Sequence, residues 1–217
     1  MHNIIVYDLE TTGKDPRTVF PIQFAAIPVD GASLKPKFDD VFNQMCKPPN
    51  FDDMINYKDD SEKEGLWKFH ARNRGVSIEQ MIELVGSSPS MNVVFPQFTQ
   101  FIKQYRANNR DPILAGHNIC NYDNVIINRL IGKNKTTWNP IYFLDTMNLC
   151  YGWLRTSNVT RFSLDSLRDY FGLTKGGHEA LKDCSDCAII LSRFLKYQQE
   201  LSAGKNYFAN AFTGDSV

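Results

Sequence analysis

The chain of 217 residues sets 24 Lys and Arg against 24 Asp and Glu, with 42% hydrophobic and 22% charged residues. At about 150 residues per domain this is one domain, long enough to bury a core without disulfide or metal staples. The composition excludes a disordered chain, a collagen-like chain and a coiled coil, and no apolar run reaches the roughly 18 residues of a membrane span.

The N-terminal Met1-His2-Asn3-Ile4 lacks the basic segment and apolar run of a secretory signal, so an intracellular, cytoplasmic protein is expected. The charge is unevenly spread. Residues 39–64 hold eight acids against three lysines, whereas Arg129, Lys133 and Lys135 cluster without an acid. Each cluster taken alone reads as a solvated face. Cys46, Cys120, Cys150, Cys184 and Cys187 are odd in number and scattered, which fits a reducing compartment. Cys184-x-x-Cys187 lacks a second Cys/His pair and lies in a helical apolar pattern, so buried thiols are expected rather than a zinc or redox site.

In chain order, residues 3–8 read as a buried strand, and residues 21–30 and 41–47 as two more with a turn at Gly31. The polar, acidic stretch 49–75 is the hardest to read and is taken as a loop that can hold one helix. Ser77 caps a short helix through Leu84. Val93, Val94, Phe98, Phe101, Ile102 and Tyr105 recur at helical spacing, predicting a helix over 92–106 that starts late enough to tolerate Pro96. Residues 113–116 form a strand, 121–131 a helix, and 141–145 a strand running into a helix. Ser163 caps a helix stopped by Gly172, and after Lys175-Gly176-Gly177 a long helix runs to about Leu201. Three strands followed by alternating helix and strand predict an α/β fold with a mixed sheet, part antiparallel and part parallel. Residues 1–204 form the domain and 205–217 a C-terminal tail.

Three polar patches stand out. In Tyr7-Asp8-Leu9-Glu10-Thr11-Thr12-Gly13, Asp8 and Glu10 are two apart on a strand and share a face. Carboxylates held that close repel unless a hard cation such as Mg²⁺ lies between them. Asp-x-Glu alone is weak, since it arises by chance about once in such a chain, but these acids end a buried strand, where α/β sheets place their sites. The second patch runs from Gly116-His117-Asn118 to Tyr122-Asp123, with Asp123 at a helix start that favours an acid in any case. In the third, His178-Glu179-Ala180-Leu181-Lys182-Asp183, the spacing places His178 on the loop before the helix and Asp183 one turn inside.

The ordered set Asp-x-Glu, Asp, His-x-x-x-x-Asp resembles the DEDDh (DnaQ-like) 3′→5′ exonuclease superfamily, with the motifs in residues 4–13, 113–130 and 161–195. Phe143-Leu-Asp-Thr-Met147, Ser163-Leu-Asp-Ser-Leu167 and Arg74-Gly-Val-Ser77 occupy places of similar family sequence, although the family often has His where Arg74 stands. Gln23-Phe-Ala-Ala-Ile27 and the span from His117 to Asp123 are locally closest to the exonuclease domain of bacterial exonuclease I, whose extra domains are not expected here.

The resemblance implies an RNase H-like five-stranded mixed sheet and hydrolysis of phosphodiesters from a 3′ end, releasing nucleoside 5′-monophosphates. It implies two divalent ions, Mg²⁺ or Mn²⁺, held by Asp8, Glu10, Asp123 and Asp183, with His178 as general base. Histidine, whose ordinary pKa is about 6.5, suits that task. Its place after Lys175-Gly176-Gly177 suggests a base that swings in on substrate binding. Thr11, Thr12, Gly13, Phe24, Asn118 and Tyr122 are candidate substrate contacts, Phe24 and Tyr122 as stacking platforms, with core packing the stronger reading for Phe24 and an equal one for Tyr122. Asp145 reads as a helix cap and Asp186 as a solvated acid. The expected partner is nucleic acid with a free 3′ end, single-stranded DNA favoured, with a polymerase or replication protein possible and no membrane. The alternatives are an exoribonuclease, a proofreading subunit, a binding module without catalysis and a purely structural domain. Five intact catalytic-type residues argue against the last two.

Overall fold

The computed structural model describes residues 2–134, 142–155, 157, 159–174 and 178–202. Strand β1 (Ile4–Thr11) runs through the middle of a five-stranded sheet. It pairs antiparallel with β2 (Pro21–Val29), which pairs antiparallel with β3 (Phe42–Met45). On its other edge β1 pairs parallel with β4 (Ile113–Gly116), which pairs parallel with β5 (Phe143–Asp145). The order β3-β2-β1-β4-β5 is the mixed sheet that the alternation of elements predicts.

Between the strands lie α1 (Phe51–Met54), α2 (Ser61–Arg74), α3 (Ile78–Ser87), α4 (Met91–Gln104), α5 (Asp123–Asn134), α6 (Thr146–Leu154), α7 (Leu164–Phe171) and α8 (Ala180–Ser202). Stretch 49–75 is more helical than its polarity suggests. The Asp60 carboxylate caps α2 by accepting from the Glu62 and Lys63 amides, and Gly75, at φ 67°, closes its far end. Only Trp67, His70 and Ala71 of α2 are buried, so its apolar pattern is too thin to announce a helix. Helix α4 begins at Met91, which puts Pro96 inside it. The ring removes one backbone donor, and the helix holds because Val94, Phe95, Phe98 and Ile102 are buried along one side.

The strand's two-residue period decides which side chains meet which layer. Ile5, Tyr7 and Leu9 join the core that also contains Phe24 and, from α4, Phe95 and Phe98. Ile4 and Val6 point the other way, into a core shared with Cys184, Ala188 and Leu191 of α8. Asp8 and Glu10 continue the second parity and so face the start of α8. Cys184 and Cys187 are buried free thiols, as their pattern predicts. The Lys175-Gly176-Gly177 loop, Lys135 and the tail 205–217 lie outside the described residues, and no helix among those described is long and apolar enough to cross a membrane.

Phe98 packs its ring against Tyr7, Phe24 and Phe42 and is fully buried. Phe98→Ala is expected to cost about 3–5 kcal/mol from lost burial plus the cavity left behind. Urea unfolding should show this as a lower midpoint with an unchanged slope.

Candidate active site

Four carboxylates meet at the C-terminal end of β1. Asp8 and Glu10 come from the strand, Asp123 is the first residue of α5 and Asp183 lies in the first turn of α8. Asp123 is tied to the strand directly, since its Oδ1 accepts from the Leu9 amide at 3.1 Å. His178, just before α8, sets its Nδ1 3.8 Å from Asp183 Oδ2.

Burial together with mutual repulsion shapes the chemistry of these acids. Desolvation raises Asp8 well above the usual carboxylate range, and Asp123, Glu10 and Asp183 push it further. Desolvation raises Glu10 to about 8, with Asp183 adding to the rise and Arg74 opposing it. Asp123 is raised to about 8, again chiefly by burial. Asp183 is raised by burial and pulled down by Arg168.

The donor set fits divalent cations in kind, because hard oxygens under like-charge strain are what such an ion relieves. Among the described residues, however, no three Asp, Glu, His or Cys side chains converge as placed on one ion position. Protein partners hold single oxygens: Leu9 N–H holds Asp123 Oδ1, Arg168 holds Asp183 Oδ1, and His70 Nδ1 stands 3.5 Å from Glu10 Oε2.

Beside the acids opens a cavity of about 700 Å³ whose lining includes Glu10, Thr11, Thr12, Gly13, Phe69, His70 and Tyr122. Tyr122 donates to the Gly13 carbonyl at 2.5 Å, and its hydroxyl is also 2.5 Å from Thr11 Oγ1. Thr12 Oγ1 accepts from the Phe20 amide. The 11–13 turn is therefore pinned from both sides.

Asn118 adopts a left-handed conformation, φ 58°, its amide donating to Asp145 Oδ1. The Asp145 carboxylate also accepts from the Cys120 and Met147 amides, so this helix cap steadies the turn leading to Asp123 as well. Gly116 ends β4 where no side chain fits: a Cβ there would stand 2.7 Å from the Tyr7 carbonyl and 2.2 Å from the Ile119 side chain.

Two expectations are corrected. Phe24 is 0% exposed and packs on Phe95 and Phe98, so it has no face for a base. It lies opposite Leu9 in the sheet, with the parity that leads away from the carboxylates. Asp186 is 2% exposed, not solvated, because Arg168 and Lys182 neutralise it at 2.7 and 2.5 Å.

The sequence did not single out Phe69, His70 or Arg168. The Phe69 ring packs on His178 with centroids 5.2 Å apart, and His70 Nε2 is 3.0 Å from the Thr11 carbonyl. Both ride on α2, the helix with the thin apolar pattern. Arg168 gave no signal, since an arginine in a short capped helix ordinarily faces solvent. Arg74 Nη2 donates to Gln23 Oε1 at 2.5 Å, and Gln23 Nε2 reaches Glu179 Oε1 at 3.3 Å.

Known proteins match one segment of this chain in sequence signature and most of it in fold. Residues 5–64 match the model of the exonuclease family RNase_T, a segment that contains Asp8 and Glu10 and ends before Asp123, His178 and Asp183. The PolC-type DNA polymerase III of Thermotoga maritima is 26% identical over 206 residues, 93% of this chain and 12% of that protein. The structure of E. coli exonuclease I with a dT13 oligonucleotide superposes with a TM-score of 0.63 at 17% identity, covering 93% of this chain and 45% of that one. A 3′-exonuclease studied for 3′-end-specific recognition of a histone mRNA stem-loop superposes with a TM-score of 0.61 at 16% identity, covering 90% and 82%. This chain thus spans a small part of the polymerase and under half of exonuclease I. The exonuclease resemblance read from the motifs stands in the RNase_T segment, and the fold is the RNase H-like sheet of these exonucleases.

Glu10 and Asp123, raised to about 8, hold protons in the native state that the unfolded chain has already released. Between about pH 5 and pH 8 the native state binds more protons, so stability falls as pH rises through that window. Thermal unfolding in EDTA should show a melting temperature that declines over this range. The decline should be shallower in Asp123→Asn, and a slope unchanged by that substitution would contradict the assignment.

Proposed function

We propose that this protein is a metal-dependent 3′→5′ exonuclease that releases nucleoside 5′-monophosphates from the 3′ end of nucleic acid, with single-stranded DNA as the favoured substrate. The observation that carries the proposal is the meeting of Asp8, Glu10, Asp123 and Asp183 beside His178 and a cavity of about 700 Å³. The RNase_T segment and the DNA-bound exonuclease I neighbour support it. The histone mRNA 3′-exonuclease, which shares the fold, favours RNA as the second reading.

In this proposal Asp8, Glu10, Asp123 and Asp183 hold two divalent ions, Mg²⁺ or Mn²⁺. Bound there, the ions supply positive charge against the phosphodiester and its leaving oxygen. The chain's own groups do the rest. His178, whose Nδ1 lies 3.8 Å from Asp183 Oδ2, takes a proton from the attacking water. A new phosphorus–oxygen bond then forms as the bond to the 3′ oxygen breaks.

Thr11, Thr12 and Gly13 hold the terminal nucleotide, and Tyr122 shapes its pocket through the hydroxyl contacts that pin Gly13. Asn118 stays a candidate contact through its turn. Phe69, 43% exposed and lining the cavity, offers the aromatic surface that Phe24 lacks. The PolC-type relative makes a polymerase partner or proofreading role part of the same proposal, and five free thiols suit the cytoplasm.

The test uses 3′- and 5′-labelled DNA and RNA oligonucleotides with Mg²⁺, with Mn²⁺ and with EDTA. Early mononucleotide release from the 3′ label is expected, abolished by EDTA and by Asp183→Asn. His178→Ala should slow it by about 10²–10⁴-fold, the usual worth of a general base. Binding without release on every substrate would make the protein a non-catalytic binding module.

A further inference from the structure

Arg168 of α7 is 0% exposed, and its guanidinium serves three carboxylates at once. Nε donates to Asp186 Oδ2 at 2.7 Å, Nη1 to Asp165 Oδ1 at 2.8 Å and Nη2 to Asp183 Oδ1 at 2.5 Å. Asp186 is independently held by Lys182 at 2.5 Å. A clamp joining α7 to α8 is complete with Asp186 alone, and the arm to Asp183 is superfluous to it. That arm instead takes one oxygen of a site carboxylate and leaves Oδ2, the oxygen 3.8 Å from His178 Nδ1.

We infer that Arg168 is a positioning residue that orients Asp183 through its planar fork and serves as a resident cation for the carboxylate cluster. The inference rests on the exonuclease reading and adds to it a residue outside the five-residue pattern. Two consequences follow from the geometry, and they have opposite signs. The fork fixes the angle of Asp183, so losing it slows hydrolysis. The charge sits 2.5 Å from Oδ1 of a carboxylate that the exonuclease reading assigns to the metal ions, so losing it removes a competing cation and tightens metal binding. A merely structural arginine would weaken both together. Lysine keeps the charge but lacks the fork, which separates the two effects.

The experiment compares the full chain with Arg168→Met and Arg168→Lys, with Arg168→Gln in place of the methionine variant if that does not fold. Thermal unfolding in EDTA and in Mn²⁺ reads metal binding without substrate, because the metal-induced rise in melting temperature grows as affinity grows. Oligonucleotide hydrolysis at saturating Mn²⁺ reads positioning. Arg168→Met should melt lower in EDTA and show a larger Mn²⁺-induced rise than wild type. Both variants should hydrolyse at least tenfold more slowly, with the lysine variant keeping a near wild-type Mn²⁺ rise. A neutral variant with an unchanged or smaller Mn²⁺ rise, or a lysine variant within twofold of wild-type hydrolysis, overturns the inference. If wild type itself releases no nucleotide, the exonuclease reading fails, and the melting comparison of neutral variant with wild type still decides whether Arg168 is the resident cation.

Discussion

Four carboxylates gathered at the end of one buried strand repel one another where little water is present to screen them, and the surrounding architecture answers that repulsion. Protons are one answer, since desolvation and like charge hold Glu10 and Asp123 to about 8. Fixed donors are another. The Leu9 amide takes an oxygen of Asp123, Arg168 takes one of Asp183, and Arg74 draws Glu10 downward from the next helix layer. Such a cluster costs folding free energy unless it is paired, which makes it an expensive feature for a scaffold and an apt one for cations.

The sheet explains how residues so far apart in the chain reach one place. Parity along β1 sends Ile5, Tyr7 and Leu9 to one core and aims Asp8 and Glu10 at α8. The parallel β4 delivers the Asn118 turn and Asp123 to the same end of the sheet, and Gly116 lets the two strands close there. Asp145, at the end of β5, accepts the amides that hold the turn in place. The helices then supply what strands cannot: a first-turn acid from α8, a ring from Phe69 and an imidazole from His70.

This division also decides what was legible in the sequence. Strand parity, Ser163 and Gly172 as caps of α7, and the ordered acids with His178 are local patterns, and local patterns survive into the fold. Contacts that depend on which helix leans where are not local. Asp186 looked solvated because helical spacing alone does not reveal the arginine from α7 that buries beside it. Phe24 was a candidate contact with core packing the stronger reading, and its pairing with Leu9 in the antiparallel register places it in the core. Helix α2 was nearly invisible, since it buries little beyond Trp67, His70 and Ala71, yet two neighbouring residues on it face the site.

The five thiols divide unevenly: Cys46, Cys150, Cys184 and Cys187 are buried, and Cys120 is exposed in the turn before Asp123. A thiol-reactive dye therefore has a single point of attachment per native chain, next to the carboxylates and away from the folding core. Partial burial and the neighbouring Asp145 raise the Cys120 pKa, so coupling wants alkaline buffer. A fluorophore placed there would report on the turn of Asn118 and Tyr122, in the wild-type background and without engineering a cysteine.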